Sequence, residues 1–136
     1  MKHRYVSGPA VQPGAPRVLL VDEDEESLER WSSKLVRLGC LCIEVTDGES
    51  AVKTALESLV DLIVVDANLS SPAVSEVVRA LQGLKPSPSL IVCSDDPLDE
   101  ARRAELLLGA TRFVTKTHPG QMIAAAARLL GLKLPN

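Results

Sequence analysis

Apolar and polar positions follow two alternating rhythms along this chain. Val18-Leu19-Leu20-Val21 and Leu62-Ile63-Val64-Val65 are short unbroken aliphatic runs, the pattern of strands buried on both faces of a parallel sheet. Between them, Leu28, Trp31, Leu35 and Leu38 recur at steps of three and four, which predicts a helix over 25–38 that stops at Gly39. The rhythm continues with a strand over 41–46, a helix over 49–59 presenting Val52, Ala55, Leu56 and Leu59, a strand over 62–66 and a helix over 73–84. A strand over 89–94 leads to Asp96-Pro97, a helix cap followed by a favoured first residue, and that helix ends at Gly109. A strand over 111–115 and an Ala-rich helix over 120–131 complete the series. Five βα units with short connections predict an α/β fold: a doubly wound five-stranded parallel sheet, order 2-1-3-4-5. Residues 1–16, rich in Gly and Pro and without periodicity, read as a disordered lead; 17–131 is the domain, and 132–136 a tail or the start of a linker.

In open α/β sheets, ligands bind beyond the carboxyl ends of the strands. The first strand ends on Asp22 and Glu23, the third on Asp66, the fourth on Ser94 and the fifth on Lys116. The second ends near Thr46-Asp47 with nothing obviously reactive, which fits its place at the far edge. Acids of the first and third strands then flank the switch point, and their charge calls for a cation. Phosphoryl transfer suits this set. A carboxylate can be a phosphoryl nucleophile, Mg2+ takes carboxylate and phosphate oxygens, Lys116 supplies a compact positive charge, and Ser94 supplies a hydroxyl donor.

Composition narrows the choice. The net charge is −3, yet five of the 18 acids lie between Asp22 and Glu26, leaving 13 against 15 basic residues elsewhere. The acidity is local. One Trp, one Tyr and one Phe give no stacking platform for single-stranded nucleic acid. Cys40, Cys42 and Cys93, an odd number within or beside apolar runs, read as buried reduced thiols. No apolar stretch reaches the roughly 18–20 residues of a membrane span, and no hydrophobic signal region follows Lys2-His3-Arg4. A soluble, cytoplasmic protein is expected. Trp31 is expected in the core, and His3 and His118 at the surface.

From Val18 to about Leu130 the chain resembles the receiver domain of two-component response regulators. VLLVDE resembles that family's first strand and acidic pair, DLIVVDANL its phosphoacceptor segment, IVCS the strand ending in Ser or Thr, and GATRFVTK the segment with Gly-Ala, an aromatic and Lys. The resemblance implies a flavodoxin-like (βα)5 fold and a signalling phosphoacceptor rather than an enzyme, with slow autodephosphorylation. It makes Asp66 the phosphoacceptor, with Asp22, Glu23, Asp66 and the backbone carbonyl of Asn68 holding Mg2+. Ser94 would bond the acyl phosphate, Lys116 would pair with it, and Phe113 would be the switch aromatic that follows Ser94. The implied partner is a sensor histidine kinase or phosphotransfer protein. The implied output face is the fourth helix, fifth strand and fifth helix (97–131), through which a homodimer would form.

Three positions depart from the family pattern. Thr117 replaces the Pro after Lys116, and a cis bond to a non-proline residue costs about 2.5–4 kcal/mol, so a trans peptide is expected there. Asp95 replaces a small residue after Ser94, and the segment after Asp66 lacks the usual Pro and Asp-Gly turn. These departures leave room for a pseudo-receiver that docks a partner without phosphorylation. A third reading, a haloacid-dehalogenase-type phosphatase built on Asp22-Glu23-Asp24, leaves Asp66 without a role and puts Glu26 where Thr or Val is expected.

Overall fold

Val18, Leu19, Leu20 and Val21 are all completely buried, because their strand runs through the middle of a sheet covered on both faces. The computed structural model describes residues 3–8, 12–70, 72–100 and 112–134. In chain order these form β1 (His3–Val6), β2 (Arg17–Val21), α1 (Glu25–Arg37), β3 (Leu41–Val45), α2 (Gly48–Glu57), β4 (Leu62–Asp66), α3 (Val74–Gln82), β5 (Ser89–Ser94), β6 (Arg112–Thr115) and α4 (Pro119–Leu130). The sheet order is β1-β3-β2-β4-β5-β6, and every pairing except β1 with β3 is parallel. The five predicted strands are therefore β2 to β6, in the predicted order.

Strand alternation divides the core in two. Leu19, Val21, Ile43, Val45, Ile63 and Val65 face α2 and α3, packing on Ala51, Val74, Val77 and Leu81. Val18, Leu20, Cys42, Leu62, Val64 and Cys93 face α1 and α4, packing on Leu28, Trp31, Leu35, Met122 and Ala126. This second layer also lies under the functional site. All three cysteines are buried and unpaired, and burial pushes the Cys40 thiol up to about 11 and the Cys93 thiol to about 12. Among the described residues no helix is long and apolar enough to cross a membrane.

Two expectations are corrected. The stretch read as a disordered lead contains β1, which pairs antiparallel with β3 from His3↔Val45 to Val6↔Cys42. The sheet thus has six strands, not five. The physical reason is Glu44, buried on β3: Arg4 of β1 reaches it at 2.9 Å, and Ser32 of α1 donates a hydrogen bond to its other oxygen at 2.5 Å. The second helix stops at Glu57, short of the predicted 59, and leaves Leu56 and Leu59 exposed, while Ala51, Thr54 and Ala55 form its buried side. The helix expected to run from Pro97 to Gly109 lies mostly outside the described residues.

Candidate functional site

Register places the acids. Val21 of β2 pairs with Val65 of β4, so Asp22 and Asp66, one residue further along, lie side by side at the carboxyl edge. The ladder extends past the strands to fix this edge: Asp22 N–H donates to the Val45 carbonyl at 3.2 Å, Ala67 N–H to Cys93 at 2.7 Å, and Lys116 N–H to Ser94 at 2.7 Å. Asp22, Asp66 and Ser94 are each at most 6 % exposed, although polar. Buried polar groups demand partners.

Lys116 supplies the main one. Its Nζ donates to Asp22 Oδ2 at 2.7 Å and lies 3.2 Å from Asp66 Oδ1, close enough for an ion pair but off the direction of a hydrogen bond. Asp66 Oδ1 is thus a buried oxygen with no hydrogen-bond partner. Burial and the neighbouring Asp22 charge push the Asp66 carboxyl above the usual carboxylate range, against the pull of Lys116 and of the Asn68 backbone amide. Burial by itself would lower the Lys116 ammonium, but the hydrogen bond and charge of Asp22, then the charge of Asp66, outweigh it and hold the proton more tightly than in an ordinary lysine. The Lys116–Thr117 peptide is trans, since the cis bond among the described residues is Lys85–Pro86. A trans peptide still delivers the ammonium to both carboxylates.

The remaining predicted residues sit around this trio without closing on it. Glu23 turns away, accepting from Ser70 Oγ at 2.9 and 3.2 Å. The Ser94 hydroxyl donates to the Asp96 carbonyl at 2.6 Å. Phe113 is half-buried and lines, with Ser94, Leu98 and Gln121, a cavity of about 120 Å³. Asn68, two residues past Asp66, is exposed between buried Ala67 and Leu69, and Asp95 is exposed. Asp24 caps α1, accepting from Glu26 N–H at 3.1 Å and Ser27 Oγ at 3.0 Å, and these bonds, the Ser27 one foremost, hold its carboxyl below the usual value. His118 is exposed, its Nδ1 3.0 Å from Thr115 Oγ1. Sequence reasoning missed Ser70 and the second role of Trp31, whose ring lies under Lys116 with Nζ 5.5 Å from its centroid.

The donor set can be tested against Mg2+. Among the described residues no three Asp, Glu, His or Cys side chains are grouped to hold a metal ion; Asp22 and Asp66 lie side by side, while Glu23 is engaged with Ser70. Two are enough, because Mg2+ is commonly held by one or two carboxylates with waters and phosphate oxygens completing its shell. The orphaned Asp66 Oδ1 beside Asp22 is an oxygen of the right kind. The residues fit the ion.

A parallel sheet of this order with two acids and a lysine at its carboxyl edge defines a flavodoxin-like α/β class. The response regulator receiver domain profile matches residues 18–128, and the chain belongs to that family. It is 31 % identical over 102 residues to the transcriptional regulatory protein PrrA of Mycobacterium tuberculosis, covering 75 % of this chain and 44 % of PrrA. The chain therefore spans less than half the length of the curated relatives it matches. Among solved structures, the BeF3-activated DrrB receiver domain aligns with a TM-score of 0.75 at 24 % identity, over 86 % of this chain and 98 % of that one. The chemotaxis response regulator CheY4 of Vibrio cholerae aligns with a TM-score of 0.77 at 21 % identity, over 85 % and 98 % of the two chains.

Proposed function

We propose that this domain accepts a phosphoryl group on Asp66 from a sensor histidine kinase or phosphotransfer protein, with Mg2+ bound, in the cytoplasm. One observation carries the reading: Asp66 Oδ1 is buried, unpartnered by any hydrogen bond, and set between Asp22 and Lys116. In the reaction an Asp66 oxygen attacks phosphorus, and the phosphorus–nitrogen bond of the phosphohistidine breaks. Its electron pair stays on the imidazole nitrogen. Lys116 moves its ammonium to a phosphoryl oxygen. The Ser94 hydroxyl leaves the Asp96 carbonyl to bond another, and Phe113 follows into the space beside it. Asp22, Asp66, the Asn68 carbonyl and Glu23, once Glu23 releases Ser70, would hold Mg2+. When bound, the ion offsets the charge brought together by carboxylate and phosphate.

Phosphorylation then shifts an existing equilibrium between inactive and active forms and alters the face of residues 97–131, which includes β6 and α4. That face is the surface for an output partner or a homodimer. The acyl phosphate decays by slow hydrolysis, a signalling lifetime rather than enzymatic turnover. The BeF3-activated DrrB receiver domain supports this reading.

Labelled phosphate from a kinase or acetyl phosphate should enter the wild type with Mg2+ and should not enter Asp66→Asn; undiminished labelling of that variant would sink the proposal. A second reading, the pseudo-receiver, is favoured by one contact. Lys116 already pairs with both carboxylates and offsets one of their two charges without a metal. Mg2+ titration followed by Trp31 fluorescence separates the two, since a pseudo-receiver gives no saturable response.

A further inference from the structure

The Lys116 ammonium has three close neighbours, and only two of them are acids. The third is the indole of Trp31, with Nζ over the ring 5.5 Å from its centroid. That is within the roughly 6 Å at which a ring face attracts a cation. Trp31 comes from α1 and is 7 % exposed, packed in the layer that holds Val18, Leu20 and Cys93, so its ring plane is fixed by the core. It is the only Trp in the chain.

The three contacts differ in what can displace them. A divalent cation on Asp22 removes the shortest contact of the ammonium and repels it electrostatically. The ring offers no hard oxygen to a metal and remains. We infer that Trp31 is a positioning residue that keeps Lys116 beside Asp66 once a metal occupies Asp22; the inference rests on the phosphoacceptor reading. Trp31 touches neither phosphate nor metal in this role. It acts only through Lys116.

The test uses the full chain and two readouts. In NMR spectra the ε-methylene protons of Lys116 should lie upfield of those of other lysines, displaced by the ring current, and should stay upfield at saturating Mg2+. Trp31→Leu should abolish the displacement and Trp31→Phe should keep part of it. Lys116→Met leaves the core whole and should change Trp31 emission. With acetyl phosphate and Mg2+, Trp31→Leu should slow labelling roughly fivefold, the scale of one cation–π contact. Trp31→Phe should restore most of the rate, and Trp31→Leu should cost nothing further in Lys116→Met. Loss of the upfield position in the wild type on adding Mg2+ would overturn the inference. So would Trp31 emission unchanged in Lys116→Met, or equal slowing by Trp31→Leu in both backgrounds. A wild type that takes no label but keeps the upfield position with Mg2+ supports the positioning and overturns only the phosphoacceptor reading.

Discussion

Asp66 is held in a fold that does not favour its charge. Burial and Asp22 raise its pKa in the folded state above the ordinary 3.8, so folding favours the protonated form. The sign follows. Native stability gains from this group as pH falls through its folded pKa, levels off below 3.8, and is lowest where Asp66 is fully ionised. Asp66→Asn removes that charge, although it also gives up the 3.2 Å ion pair with Lys116. Because the net shift is upward, relief outweighs the lost pair. The variant should melt above wild type at pH 7. The margin should close toward acid pH, and a constant margin across a pH series of melting curves would contradict this. At this scale the two acids were legible, because strand-end residues in parallel register must be neighbours. The Lys116 contacts with Asp22 and Trp31 were not, since 94 residues separate Lys116 from Asp22 and no local pattern encodes a meeting of α1 with the β6 end.

Helix α2 shows how an element is held in place. Asp47 caps it, accepting from Ser50 N–H at 2.7 Å and Ser50 Oγ at 2.9 Å. Asp47→Ala should cost about 1 kcal/mol in urea denaturation. The next residue, Gly48, meets α3: a Cβ there would lie 2.5 Å from Val77 Cγ2 and 3.2 Å from Pro72 Cγ. Alanine gains roughly 1 kcal/mol of helix propensity over glycine. Valine is stiff at χ1, however, and cannot swing aside cheaply. The clash should win, so Gly48→Ala should lose about 1–3 kcal/mol; a stabilised variant would show that α2 and α3 separate freely. The five parallel strands were legible because burial on both faces demands continuous aliphatic runs. The end of α2 was not, because Leu56 and Leu59 continue the helical spacing while the chain has already left the helix at Ser58.

For the whole molecule, β1 and the carboxyl edge depend on contacts between distant segments. Arg4 is exposed while its partner Glu44 is buried, so Arg4→Ala leaves a buried carboxylate with Ser32. That should cost about 1–3 kcal/mol and speed hydrogen exchange at the β3 amides facing β1, with Glu44→Gln recovering part of the loss. Unchanged stability in Arg4→Ala would mean that β1 contributes little to the sheet. No sequence rhythm announced β1, a strand of four residues that runs on through Ser7 into Gly8 and Pro9 and whose pairing with β3 is tertiary. The parallel register of β2 and β4, by contrast, sets Asp22 and Asp66 side by side, where the Lys116 side chain reaches both, and the central claim is that Asp66 is the residue phosphorylated there. The most direct measurement is to treat the protein with acetyl phosphate and Mg2+, reduce the product with tritiated borohydride, and sequence the labelled peptide. The account predicts homoserine at residue 66 and no tritium in Asp66→Asn. Tritium at Asp22 or elsewhere, or none in the wild type, would contradict it.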